Sequence, residues 1–83
     1  MYQPIRINNL THRSGDKDGD KLQMLVIDKS RITEMYKDDD GTCVIEVRAN
    51  EYSFDDKNKV AYDYFEVDDV EFERVLTLII TNR

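Results

Sequence analysis

Apolar residues recur with a period of two along most of the chain and with a period near 3.6 only at its end. Ile5, Ile7 and Leu10, with Arg6 and Asn8 between, read as a half-buried strand. Pro4 can open such a strand but would weaken a central one. Thr11 to Lys21 holds no apolar residue, and its glycines and aspartates favour turns. It reads as an exposed, mobile loop able to join two strands as a long hairpin. Leu22 to Ile27 is a near-continuous apolar run of strand length, supported by the β-branched pair Val26-Ile27. Asp28-Lys29-Ser30 breaks it, and Ile32 to Tyr36 follows as a third strand.

Lys37-Asp38-Asp39-Asp40-Gly41 is the clearest turn. Asp-Gly suits a two-residue type I′ hairpin, whose central residues both need positive φ. That loop predicts pairing of Tyr36 with Ile45 and Glu34 with Val47. Cys43, Ile45 and Val47 then share one strand face, and Val44, Glu46 and Arg48 the other. The strand can run on through Ala49 to Tyr52 and Phe54, with a second polar turn at Asp55 to Lys59. From Val60 to Val67, Ala61, Asp63, Phe65 and Val67 alternate with Tyr62, Tyr64 and Glu66. Both faces carry large side chains, and one helix covers only one face of a sheet. Aromatics on the other face point to a partner or an oligomer.

The last element reads as a helix capped by Asp68, with Glu71 completing a D-x-x-E variant of the capping box. Asp69, Glu71 and Glu73 suit the positive end of the helix dipole. Phe72, Val75, Leu76, Ile79 and Ile80 form one apolar stripe, and Leu78 falls off it. The fold class expected is therefore α+β: a small antiparallel β-meander of about five strands with one C-terminal helix packed on the sheet, as a single domain over 1–83.

Composition narrows the function. The chain has 83 residues, 12 Lys+Arg against 18 Asp+Glu, and a net charge of −6. That balance argues against non-specific DNA binding, which needs a basic surface to displace counterions. No apolar run approaches a membrane span, the N-terminus lacks the apolar core of a signal peptide, and the expected location is cytoplasmic. One cysteine excludes an internal disulfide framework and a cysteine-rich zinc site.

Catalytic and metal motifs are absent. Counted from Asp16, the Asp16-Asp18-Asp20 run has Lys21 where a calcium loop needs glycine and Ile27 where it needs glutamate. His12 stands in the polar loop without an evident partner, and Cys43 reads as a small buried hydrophobe. No phosphate loop, nucleophile elbow or zinc-protease motif occurs. The expectation is a non-enzymatic protein with no cofactor and no metal. Two features remain. Carboxylates run through Asp38–Asp40, Glu46, Glu51, Asp55–Asp56, Asp63, Glu66, Asp68–Asp69, Glu71 and Glu73. Aromatic and cationic side chains lie on or beside the strands, and Arg31, Tyr36, Arg48, Tyr52, Tyr62 and Tyr64 are the candidate ligand-binding residues. Tyrosine faces stack nucleobases and arginine forks grip phosphate.

Three segments also carry a family resemblance: Leu25 to Met35, then Asp40 to Val47, then Tyr64 to Phe72. Their pattern is an apolar strand, a polar break, a glycine turn, a V-I-x-V-like strand, and a Y-x-V-x-x-(S/D)-V-E-like entry into a final helix. Ile5 to Asn9 fits a first strand. This pattern resembles small FlbD-like proteins, which occur in flagellar operons and look like many small bacteriophage proteins. The matched positions are fold positions, so the resemblance assigns no binding residue. This chain adds the polar loop around residues 11–21 and lengthens Asn50 to Lys59; loops are where new binding functions arise.

Three functions follow as expectations. The first is a phage-type accessory protein, in the host cytoplasm, that as a homo-oligomer sequesters a small anionic ligand such as a cyclic nucleotide defence signal. The second is an acidic inhibitor that occupies a basic nucleic-acid-binding surface of a host defence protein. The third, by resemblance alone, is a flagellar or structural interaction protein. None involves direct nucleic-acid or membrane binding.

Overall fold

The computed structural model describes residues 2–13, 19–49 and 61–81. It contains β1 (Pro4–Arg13), β2 (Lys21–Asp28), one turn of 3-10 helix (Lys29–Arg31), β3 (Ile32–Lys37), β4 (Cys43–Arg48), β5 (Tyr62–Val67) and α1 (Asp69–Thr81). The strands form one antiparallel five-stranded sheet in the order β2-β1-β5-β4-β3, and α1 packs on one face. The last three strands run as an up-and-down meander. The β1–β2 hairpin joins them through β1 and β5.

This order forces curvature. Flat, the edge strands β2 and β3 would lie about four inter-strand spacings, roughly 19 Å, apart. The chain from Asp28 at the end of β2 to Ile32 at the start of β3 spans at most about 14 Å. The sheet must therefore curl, and its inner side holds the core. Ile5, Ile7, Leu10, Ile27, Cys43, Ile45, Val47, Phe65 and Val67 meet Phe72 and Val75 of α1 there.

β1 shows how a chain changes parity without losing its sheet. Ile5 and Ile7 are buried, and then so is Leu10. Asn9 lies between at φ 54°, in the left-handed region that asparagine tolerates better than most residues. β2 follows the shift, so Ile5 pairs with Ile27, Ile7 with Leu25 and Leu10 with Leu22. The polar segment expected as a loop is thus shorter: Thr11 to Arg13 extend β1, and the His12 amide donates to the Asp20 carbonyl at 2.8 Å.

β1 outruns β5, which reaches only Thr11 to Arg13. The main chain of Arg6 and Asn8 finds side chains of α1 instead. The Asn8 N–H donates to Glu71 Oε2 at 2.6 Å, and Arg74 donates to the Arg6 carbonyl at 2.5 Å. Arg74 also donates to both Glu71 oxygens, at 2.8 and 2.6 Å. The pair does for β1 what a neighbouring strand would, since an unpaired buried main-chain group is costly. Asp68 caps the helix, accepting the Glu71 N–H at 2.8 Å. The other arm of the expected capping box is not made, because the Glu71 carboxylate is spent on β1 and Arg74. On the helix, Leu78 packs against the core, whereas Ile80 is exposed, so the apolar stripe is rotated from the one the spacing predicted.

The β3–β4 connection corrects the predicted register. Asp38 and Thr42 close it, with the Asp38 N–H on the Thr42 carbonyl at 2.8 Å and the Gly41 N–H on the Asp38 carbonyl at 2.9 Å. The loop therefore has three residues, ending on Gly41 at φ 87°. Tyr36 pairs with Val44 rather than Ile45, and Glu34 with Glu46 rather than Val47. A one-residue slip moves each side chain to the other face.

Candidate functional site

The corrected register assembles the outer face of the sheet. One row across the strands reads Thr11, Glu66, Val44, Tyr36; the next reads Arg13, Tyr64, Glu46, Glu34; a third holds Tyr62 and Arg48. Among the described residues no helix or strand lies on this face. Val44 is fully buried on it yet stands outside the core cluster, between Glu66 and Tyr36 in register.

Tyr36, Arg48, Tyr62 and Tyr64 are therefore brought to one surface. Arg31 stands in the 3-10 turn, and its Nε donates to the Arg48 carbonyl at 2.9 Å. Tyr52 lies outside the described residues, as do Asp16, Asp18 and the turn at Asp55 to Lys59. The sequence reading did not single out Glu34 and Glu46 as partners of the tyrosines. Glu34 had a local signal, because a residue two positions from a strand tyrosine shares its face, whereas Glu46 meets Tyr64 only through the pairing of β4 with β5.

The electrostatics of this face are dominated by those acids. Glu34 and Glu46 stand directly opposite one another, and like charges so placed repel. Glu46 Oε1 accepts the Thr33 hydroxyl at 2.7 Å. Tyr64 is desolvated and stands beside the Glu46 carboxylate, and both effects hold its phenol above the ordinary range. Among the described residues no cation pairs with Glu34. Arg13 is already engaged, 3.4 Å from Glu66 and 3.3 Å from Asp38.

The topology also gathers acid runs that are far apart in sequence. Cys43 pairs with Val67, so the Asp38–Thr42 turn and the start of α1 lie at the same end of the sheet. Asp38, Asp39, Asp40, Asp68, Asp69 and Glu73 stand there. Lys37 Nζ lies 3.8 Å from Asp69 and 4.0 Å from Glu73, above the Phe72 ring. Among the described residues only Lys37 and Arg13 form ion pairs with this group. Asp40 accepts the Thr42 N–H at 2.9 Å, which holds its carboxyl below the ordinary value.

Two groups weighed in the sequence for chemistry have structural settings. Cys43 is buried, and its thiol donates to Asp69 at 3.1 Å. Burial and that carboxylate push its pKa up, which disfavours the reactive thiolate. His12 belongs to β1 rather than to a loop. It stacks on Phe65 at 5.0 Å, and its Nε2 lies 3.1 Å from Asp63.

No helix among the described residues is long and apolar enough to cross a membrane. Comparison with protein-family models, curated proteins and solved structures gave no match. The FlbD-like resemblance accordingly rests on the sequence segments alone.

Proposed function

We propose that this chain is a non-enzymatic binding module that engages a basic surface of another protein. The observation that supports this reading is the convergence of two separate acid runs at one end of the sheet, continued onto the outer face by the Glu34–Glu46 pair. Tyrosines beside carboxylates suit a protein interface, where tyrosine and arginine supply much of the binding energy. Labelled oligolysine tests it. Binding should be measurable near 0.01 M salt, where the screening length is about 30 Å, and should weaken sharply near 0.15 M, where it is about 8 Å. Replacing Asp38, Asp39 and Asp40 together by Asn should weaken it about tenfold. Salt-independent binding, or none, refutes the reading.

One observation favours the anionic-ligand alternative. Arg31 holds the Arg48 main chain, and Arg48 pairs with Tyr62, so two guanidinium groups and a ring share the end of the sheet away from the acids. Saturable heat with a cyclic di- or trinucleotide, lost in Arg48→Ala, would establish that reading instead.

A further inference from the structure

The edge strand β3 is flanked by complementary features on both of its faces. On the outer face Glu34 faces Glu46, and among the described residues no cation pairs with Glu34. On the inner side a groove of about 210 Å³ runs between β3 and α1, lined by Ile32, Met35, Leu76 and Ile79 together with Thr33 and Glu34. Ile80, which follows Ile79 on α1, is 54% exposed. Further along the same edge, Asp69 and Glu73 outnumber Lys37.

Among the described residues the main chain of β3 also has free bonding capacity. The Asp38 amide bonds to Thr42, and paired residues in an antiparallel ladder alternate between bonded and non-bonded. Tyr36 and Glu34 therefore bond inward to β4, while the N–H and C=O groups of Met35 and Lys37 point outward. A register irregularity between Ile32 and Glu34 confines the usable edge to Glu34–Lys37.

We infer that β3 accepts an extended segment of a partner protein as a sixth strand, and that this segment alternates basic and apolar residues. The inference rests on the proposed engagement of a basic partner. A residue opposite Met35 would point to the α1 side and fill the groove. Its neighbours would point to the outer face, where a cation beside Glu34 relieves the repulsion between Glu34 and Glu46. Main-chain bonds give affinity in such strand addition, and alternate side chains give specificity. The other edge, β2, has exposed Met24 and Val26 on its outer face but carries no carboxylate between Leu22 and Ile27, so it offers a basic segment no charge partner.

The test is calorimetric titration with a blocked heptapeptide alternating arginine and valine. Saturable binding is expected, and Glu34→Lys should weaken it at least about tenfold. N-methylation of the valines removes the amides that face β3 and should abolish binding, whereas N-methylation of the arginines should leave it intact. Val26→Lys, on the β2 edge, should not change the affinity. Binding indifferent to valine N-methylation, or lost in Val26→Lys, overturns strand addition at β3. If oligolysine still binds in either case, the broader reading of a basic partner survives. If neither probe binds, both fall.

Discussion

Replacing Glu71 by Ala should destabilise the protein more than any other substitution of a charged residue. Its side chain is one of the few polar groups drawn into the interior, and the residue is 9% exposed. It accepts the Asn8 amide at 2.6 Å, and a hydrogen bond to a charged acceptor is worth about 1.5–3 kcal/mol. The pair with Arg74 adds less than about 1 kcal/mol, because the arginine side chain is 39% exposed and water screens it. The expected loss is about 2–4 kcal/mol. A domain of this size has roughly 4–12 kcal/mol in total, so the melting temperature should fall by roughly 8–32 °C. Urea denaturation followed by circular dichroism measures the loss. Hydrogen exchange at Asn8 tests its cause, since that amide should be protected in the parent protein and unprotected in Glu71→Ala. A loss below about 0.5 kcal/mol, the range of ordinary surface positions, would refute the claim that the Glu71–Arg74 pair replaces a missing strand.

Other outcomes follow from the same structure. Glu71 is held below its ordinary pKa of 4.5, chiefly by its bonds with Arg74. Its contribution is therefore complete above about pH 4.5 and lost as pH falls through the lower folded value, so Glu71→Gln should flatten the acid limb of a stability–pH profile. Val75→Ala, at a fully buried position, should cost about 2 kcal/mol, whereas Ile80→Ala should stay within about 0.5 kcal/mol; equal losses in urea melts would mean that the helix face is misassigned. Gly41→Ala should cost about 1–2 kcal/mol through its positive φ alone, since a Cβ there meets nothing. Cys43 should react with a thiol reagent only as fast as the protein opens, and alkylation at the unfolded rate under native conditions would show the burial to be wrong.

How much of this was legible in the sequence depends on the reach of each signal. Period-two alternation in β4 and β5 and period-3.6 spacing in α1 are local, and they located the elements and the Asp68 cap. The failures came from decisions taken over longer distances. Asp-Gly allows either a two-residue or a three-residue loop, and the choice moved Tyr36 and Glu34 to the outer face. Local polarity made His12 look like a loop residue, yet β1 is held there by β5, some fifty positions away. Leu78 lies off the simple stripe because α1 is oriented by the Glu71–Arg74 bonds to β1 as well as by its apolar face. The candidate surface was half visible. Tyr36, Tyr62, Tyr64 and Arg48 were chosen by residue type, and the strand pairing showed that they share their face with Glu34 and Glu46.

That a basic partner is bound through this acidic surface is most directly tested by mapping amide chemical-shift changes during an oligolysine titration at low salt. The account predicts changes concentrated at Glu34 to Asp40, Glu46 and Asp68 to Glu73, reversed by added salt. Changes concentrated at Arg31, Arg48 and Tyr62, or spread evenly over the chain, would contradict it.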